Sequence, residues 1–130
     1  MIATLLNRVC SDSSPVANID IPLPADDVLE ALDNRRRREL IRRLAAASES
    51  DGEAAVELGE VSEYIAAVEN GVPVKAVTPK QRKAVYIALY QSHLPTMERL
   101  DIVSVDDRNV IRAATDIGAL ADLLTVVDDA

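Results

Sequence analysis

The order of the predicted elements indicates an α+β fold that is mostly α-helical and carries one small β-hairpin. The strongest signal is residues 78–100, where apolar residues recur at helical spacing with no glycine. Two short apolar runs within residues 102–113 predict the hairpin. The 130-residue chain is 48% hydrophobic but only 2% aromatic, which predicts one folded domain with an aliphatic core.

Residues 1–22 predict an N-terminal arm or linker ahead of a domain at residues 23–130. The first nine residues have amphipathic spacing, but residues 11–24 hold three prolines and no helical period. No basic region precedes the first apolar residues, so a signal peptide is not expected. No apolar run approaches the roughly 20 residues needed to cross a bilayer. We therefore expect a cytoplasmic protein with no membrane contact.

Two helices open the predicted domain. Asp27, with Glu30 three residues later, predicts a capping box at the start of the first helix. Asp33 and Asn34 prefer caps and turns, so they separate this helix from a second one at residues 35–47. The predicted buried stripe of the second helix consists of Leu40, Ile41, Leu44 and Ala45.

A strand and a third helix are predicted in the middle of the chain. Apolar and other residues alternate over residues 54–58, which indicates a short strand. Residues 60–69 have a helical apolar face, and Asn70 followed by Gly71 is a strong signal for a helix end. Residues 72–77 then predict an extended linker.

A long helix is predicted from Thr78, an N-cap residue that Pro79 follows at the first helical position. An interior proline such as Pro95 costs a helix roughly 3 kcal/mol. Residues 78–100 therefore form either one kinked helix or two helices that meet near residues 92–94. The single histidine, His93, lies at this joint, and we interpret it as a packed or capping group.

The hairpin and a last helix complete the predicted domain. Residues 102–105 and 110–113 are the strand candidates, and residues 106–109 form a polar turn between them. Thr115 or Asp116 caps the last helix. One side of this helix, together with the apolar N-terminal stretch, predicts a homodimer interface formed by Ile117, Leu120, Leu123, Leu124 and Val127.

Helix, helix, strand, helix, long helix, hairpin and helix is the order of a winged helix-turn-helix domain. The stretches LEALDNRRRRELIRRLA, LGEVSEYIAAVENG and TPKQRKAVYIALYQSHLPTMERLDIVSVD resemble an uncharacterised haloarchaeal winged-helix family. They are similar, more distantly, to arsenic-repressor-type regulators. The resemblance covers roughly residues 23–124 and implies a winged helix-turn-helix fold with a role in transcription.

The chain departs from metal-sensing regulators of that type. It has one cysteine, Cys10, and one histidine, His93, so the clustered ligands of a metal sensor site are missing. No Gly-rich phosphate loop, His cluster or Cys–His pairing indicates a catalytic site. We therefore expect neither a metal, nor another cofactor, nor an enzyme.

The charge is unevenly distributed along a chain whose net charge is -8. Acidic residues exceed basic ones 22 to 14 and lysine is scarce, a composition typical of proteins from a salt-rich cytoplasm. Residues 49–77 carry -6 and residues 101–130 carry -5, whereas residues 78–100 carry +3. Positive charge on a predicted helix of an acidic protein indicates a local patch with a function.

A DNA-binding transcriptional regulator is the leading hypothesis, with double-stranded DNA as the partner. The basic start of the long helix lies where a recognition helix meets base edges and phosphates, with Arg82 and Gln81 as base readers. The arginine run that opens the second helix is either a solvated face or a set of phosphate contacts. The complete set of candidate DNA contacts is Lys80, Gln81, Arg82, Lys83, Arg35, Arg37, Arg38, Arg108 and Asn109.

The alternative is a protein-interaction module on the same fold, without DNA binding. The acidic residues would repel DNA unless they face away from it, and the apolar block at residues 84–90 is wider than one buried stripe requires. The position of the acids relative to residues 80–83 separates the two hypotheses.

The acidic composition predicts that salt stabilises this protein. The 22 acidic side chains repel one another most at low ionic strength, where the Debye length is about 30 Å at 0.01 M salt. We expect a lower melting temperature in dilute buffer than in molar KCl, measured by circular dichroism. A melting temperature that does not change with KCl would contradict both this expectation and an origin in a salt-rich cytoplasm.

Overall fold

The computed structural model describes residue 21 and residues 23–128, and it describes no side chain beyond residue 126. The arm predicted at residues 1–22, apart from Ile21, and Cys10 lie outside the described residues. Ile21 and Leu23 are half-buried against the core, so the packed body reaches slightly ahead of the predicted boundary at residue 23. The α-helices are α1 (Ala25–Leu32), α2 (Arg35–Asp51), α3 (Leu58–Asn70), α4 (Pro79–Ala88), α5 (Leu94–Arg99) and α6 (Ile117–Asp128). The strands are β1 (Ala55–Glu57), β2 (Val103–Val105) and β3 (Val110–Ala113).

The described residues form a mostly helical α+β structure with a small antiparallel sheet, as the sequence predicted. The strand order is β1-β3-β2, so the hairpin strand β3 lies in the centre. Val56 of β1 pairs with Ile111 of β3, and Val105 of β2 pairs with the same residue from the other side. The sequence predicted all three strands, but the pairing of β1 with β3 joins segments that are far apart in the chain.

The core is aliphatic, as the low aromatic content predicted. Each helix from α1 to α6 contributes buried side chains, and the central strand contributes Ile111. Burial of such side chains from water stabilises a fold by about 1.5–3 kcal/mol per residue. The largest side chains with almost no exposure include Leu40, Ile41, Leu44, Leu58, Ile65, Leu89, Met97, Ile102, Ile111, Leu120 and Leu124.

The start of α1 differs from the prediction, whereas the start of α2 agrees with it. Helix α1 begins one residue after Pro24, so Asp27 and Glu30 lie within the helix and the predicted capping box is wrong. Acidic residues in the first turn still complement the helix dipole. Asn34 caps α2, because its Oδ1 accepts the backbone N–H of Arg36 at 2.8 Å and that of Arg37 at 3.4 Å.

The long helix is interrupted by a π-helical turn at Leu89–His93, which separates α4 from α5. The backbone stays in the right-handed helical region at both ends of this turn. The N–H of Leu94 donates to the carbonyl of Leu89, five residues earlier, which widens the helix just before Pro95. Since proline cannot donate and its ring crowds the carbonyl four residues back, the wide turn accommodates Pro95 without ending the helix.

Helix α6 packs against α2 within the same chain, and this overturns part of the predicted dimer interface. Ile117 is 4% exposed, Leu120 is 0% exposed and Leu124 is 1% exposed. The assignment of these three side chains to a dimer interface is therefore wrong, because they fill the core of their own chain. Leu123 is half-buried, and the side chain of Val127 lies outside the described part. Homodimerisation itself stays a prediction.

His93 lies at a junction that Arg37 builds between helices. The Nε of Arg37 donates to the carbonyl of Ala31 at 3.2 Å, and Nη2 donates to the carbonyl of Glu30 at 2.9 Å. Nη1 of Arg37 is 3.2 Å from Nδ1 of His93. In the neutral tautomer with its proton on Nε2, Nδ1 accepts the N–H of Arg37. Burial lowers the pKa of His93, and the Coulombic repulsion of Arg37 and Arg36 lowers it further.

This junction predicts a loss of stability as the pH falls. The pKa of His93 is lower in the folded chain than its unfolded value of about 6.5, so the unfolded chain binds the proton first. The contribution of neutral His93 is complete above about pH 6.5 and declines as the pH drops below it. Urea unfolding at constant salt from pH 5.5 to 8 measures this trend, because most carboxyl groups titrate below that range.

His93→Asn is the matched variant, since its Oδ1 takes the place of Nδ1 as an acceptor for Arg37 but does not titrate. We expect the free energy of unfolding of this variant to be nearly constant over the same pH range. Equal pH dependence in the two proteins would show that His93 does not cause the effect.

Candidate nucleic-acid interface

The start of α4 is fixed by a reciprocal capping box between Thr78 and Gln81. The backbone N–H of Gln81 donates to the hydroxyl of Thr78 at 3.1 Å, and the backbone N–H of Thr78 donates to Oε1 of Gln81 at 2.9 Å. Pro79 occupies the first helical position, as predicted. Because Oε1 of Gln81 is engaged, this side chain keeps only its amide donors for another partner. A bidentate contact with adenine needs the oxygen as well.

One exposed side of α4 carries Lys80, Lys83, Ala84 and Ile87, and Tyr90 of the π turn continues it; together we call these residues the outer face. These residues are three or four positions apart in sequence and therefore share one side of the helix. The opposite side holds Val85 and, at the start of the π turn, Leu89, which are 1% and 0% exposed. The outer face thus presents two lysines near the helix N-terminus and apolar side chains towards the C-terminus.

A pair of tyrosines supports the apolar end of the outer face. The rings of Tyr86 and Tyr90 stack with centroids 6.5 Å apart and an interplanar angle of 17°. Tyr90 is 57% exposed, whereas Tyr86 is half-buried beside the hairpin. Stacking restricts the rotation of both rings, so Tyr90 is a pre-oriented surface group.

Asn109, predicted to contact DNA, forms hydrogen bonds that join the hairpin turn to two helices. Its φ of 61° lies in the left-handed region that asparagine tolerates at a turn. Its Nδ2 donates to the hydroxyl of Tyr86 at 3.4 Å, and its carbonyl accepts the N–H of Leu58 at 2.9 Å. Asn109 therefore connects the hairpin to α3 and α4 and is half-buried.

The tip of the hairpin is largely acidic. Asp106 accepts the backbone N–H of Arg108 at 2.8 Å and that of Val110 at 3.0 Å. Its second oxygen accepts from Arg112 at 2.7 Å, and these bonds, led by that of Arg112, lower the pKa of Asp106 to about 2. The side chain of Arg108 is exposed at the tip, next to Asp107.

Most arginines at the start of α2 form hydrogen bonds within the chain. Arg36 forms a bidentate pair with Glu69 of α3, with bonds of 2.6 and 3.0 Å that raise the pKa of Arg36. Arg38 donates to the carbonyl of Leu32 at 2.7 Å, and Arg37 binds the two carbonyls and the histidine described above. Contact of Arg37 with phosphate would require its bonds to break, whereas Arg38 is held by a single bond through Nη1 and is half-buried; both are therefore less accessible to the candidate interface than an exposed arginine. Arg35 is exposed and remains in the candidate interface.

Three glutamates surround one side of Arg82. Glu57, Glu60 and Glu63, together with Gly59, line the same surface depression as Arg82. These acids belong to the end of β1 and the first half of α3, which packs against α4. The lining of this depression includes neither Lys80 nor Lys83. The flank of α4 at Arg82 is therefore acidic, whereas the outer face carries the two lysines.

Neither a metal site nor a membrane span is present among the described residues. In that part of the chain, no three His, Cys, Asp or Glu side chains are grouped as metal ligands. No described helix combines the length and the apolar character that crossing a bilayer requires.

The sequence predicted the basic start and the wide apolar block of this helix, but not which of its side chains share the exposed side or how the neighbouring side chains are bonded. The capping box was visible as Thr78 followed three residues later by Gln81, a spacing that the sequence itself displays. The bonds of Arg37 and Arg38 to α1 carbonyls have no comparable sequence signal. They depend on the angle at which α2 follows α1.

A family model described as Domain of unknown function (DUF7344) matches residues 29–112. The matched region runs from α1 to β3 and so includes the whole of α4, the hairpin turn and the three glutamates. No curated protein and no solved structure matches the chain.

The capping box predicts that Gln81 contributes to stability. Gln81→Ala removes one of the two reciprocal bonds, so we expect the free energy of unfolding to fall by about 0.5–1 kcal/mol. Gln81→Glu keeps an acceptor for the N–H of Thr78 and adds a charge that favours the helix N-terminus, so it should retain the stability. Denaturant unfolding of both variants in molar KCl makes the comparison. If Gln81→Ala unfolds like the unsubstituted protein, the capping bond does not contribute.

Proposed function

The chain belongs to the DUF7344 family, and we propose that it is a DNA-binding transcriptional regulator with a winged helix-turn-helix fold. In this proposal α3 and α4 are the helix-turn-helix, α4 is the recognition helix, and β2 and β3 are the wing. The protein acts in a salt-rich cytoplasm on double-stranded DNA and requires no cofactor.

The order of elements supports the proposed fold. A winged helix-turn-helix places one strand before the helix pair and a hairpin after it. Here β1 precedes α3 and α4, and it pairs with the hairpin strand β3. This pairing holds the hairpin beside the two helices, and the contact between Asn109 and Tyr86 ties the hairpin turn to α4.

The observation that carries the functional proposal is the pair of lysines on the outer face. Lys80 and Lys83 are exposed one turn apart, and neither forms an ion pair with another described residue. Their position near the helix N-terminus lets side chains reach the phosphates on either side of a major groove. Arg35 and Arg108 are the other exposed cations retained from the predicted set.

The surroundings of Arg82 favour a second candidate function, a protein-interaction module on the same fold. Glu57, Glu60 and Glu63 repel phosphates and offset the one arginine expected to read bases. Tyr90 and Ile87, which are 57% and 40% exposed, are side chains of the kind that anchor protein interfaces. The position of the acids relative to residues 80–83 was expected to separate the two functions. The acids lie beside Arg82 and disfavour DNA contact there, but they do not line the outer face.

The proposal predicts opposite effects of removing cations and acids beside α4. Lys83→Ala should weaken binding to all duplexes alike and make the log–log salt dependence shallower by about 0.9, because one phosphate contact is lost. Glu63→Gln should strengthen binding, because it removes repulsion without deleting a contact. Fluorescence anisotropy with specific and scrambled duplexes, over a range of KCl concentrations, measures both.

Arg99→Gln is the matched control for charge. Arg99 is an exposed cation of α5 that pairs with Glu30 of α1, away from the outer face. Arg99→Gln changes the net charge by the same amount as Lys83→Ala. Because it removes no phosphate contact, it should leave the salt dependence of binding unchanged. If the unsubstituted protein and Glu63→Gln bind no duplex even at low salt, the DNA proposal fails and the interaction module takes its place.

A further inference from the structure

The outer face of α4 is half apolar, and the core does not account for that half. Ala84 and Ile87 follow Lys80 and Lys83 on the same side of the helix and are exposed. Val85 and Leu89 supply the buried contacts of this region. Ile87 is 40% exposed and does not belong to the buried core.

The groups around these two side chains restrict how α4 can read bases. Gln81 uses its oxygen in the capping box, and Arg82 lies among three carboxylates. Gln81 therefore offers only its amide donors for base readout, and the acids beside Arg82 disfavour its approach to phosphates. The other exposed side chains on this side of α4 are the aliphatic groups of Ala84 and Ile87.

An aliphatic side chain in the major groove has one complementary group, the C5 methyl of thymine. Alanine and isoleucine carry no donor or acceptor, so contact with the edges of guanine, cytosine or adenine would leave those polar groups unpaired. Contact with a thymine methyl buries apolar surface on both partners.

Concentrated salt favours an apolar contact over an electrostatic one. Phosphate contacts weaken steeply as salt rises, whereas the burial of apolar surface is not screened by ions. A chain with a net charge of -8 and only a few exposed cations at its interface has little electrostatic attraction for DNA in concentrated salt. Apolar contacts retain both affinity and sequence preference under those conditions.

We propose that Ala84 and Ile87 read thymine methyl groups in the major groove, next to the phosphates held by Lys80 and Lys83. The inference rests on the proposed function, and it names the sequence class that the outer face takes: duplexes with thymine at one or two fixed positions of the binding site. Ile87 is the main specificity-determining residue, because its side chain reaches further than that of Ala84.

The test begins with selection of tight binders from a random-sequence duplex library in molar KCl. The tightest duplex is then resynthesised with deoxyuridine in place of one thymidine at a time, which removes a methyl group and preserves base pairing. We expect one or two of these replacements to weaken binding about fourfold each, the effect of one methyl-sized group. The other replacements should have no effect.

Ile87→Ala identifies the residue that makes the contact. This variant should bind the thymidine duplex about as weakly as the unsubstituted protein binds the sensitive deoxyuridine duplex, and it should no longer distinguish the two. Leu29→Ala is the matched control, since Leu29 is an exposed aliphatic residue of α1 with 65% exposure. It should preserve the full discrimination, and equal melting temperatures would show that both variants fold.

The outcomes separate the two proposals. If the selection yields no duplex that binds, both DNA binding and methyl readout are wrong. If a duplex binds but no deoxyuridine replacement weakens it, DNA binding stands and methyl readout is wrong. The same conclusion follows if Ile87→Ala discriminates as well as the unsubstituted protein.

Discussion

The guanidinium of Arg37 hydrogen-bonds across three parts of this chain, namely α1, α2 and the π turn. It donates to two carbonyls at the C-terminal end of α1 and contacts His93 in the π turn. Arginines at the start of α2 are unfavourable for the dipole of α2 itself. They are favourable for α1, whose last carbonyls carry partial negative charge and need donors. Arg37 therefore links α1, α2 and the π turn at one point, beside the core that packs them together.

This use of the arginine run determines how much positive charge remains for a partner. Arg36 pairs with Glu69, and Arg37 and Arg38 donate to backbone carbonyls, so most guanidinium groups of the basic stretch are engaged within the fold. The exposed cations on the proposed binding side lie on α4, at Arg35 and at the hairpin tip. A partner that binds this chain therefore meets a small basic area with an apolar continuation, surrounded by acids.

The scaffold makes that small area rigid. The capping box of Thr78 fixes where α4 begins, and the π turn before Pro95 allows the helical backbone to continue into α5. Tyr86 is held between Tyr90 and Asn109, so the hairpin, α3 and α4 share contacts at one place. Rigid presentation lowers the entropy lost on binding, which matters most where few contacts are available.

Local sequence determined the elements of this fold, because caps, stop signals and apolar periodicity act between residues close in the chain. The separation of α1 from α2 at Asp33 and Asn34, the end of α3 at Gly71 and the hairpin strands all follow from such signals. The tertiary structure decided which side chains were still available at the surface. The run from Arg35 to Arg38 looks uniform in sequence, yet only Arg35 stays outside the network of intrachain bonds, because each guanidinium meets a different neighbour. Likewise, α6 has one apolar side, and only its packing against α2 shows that Leu120 and Leu124 serve the core and not a second copy.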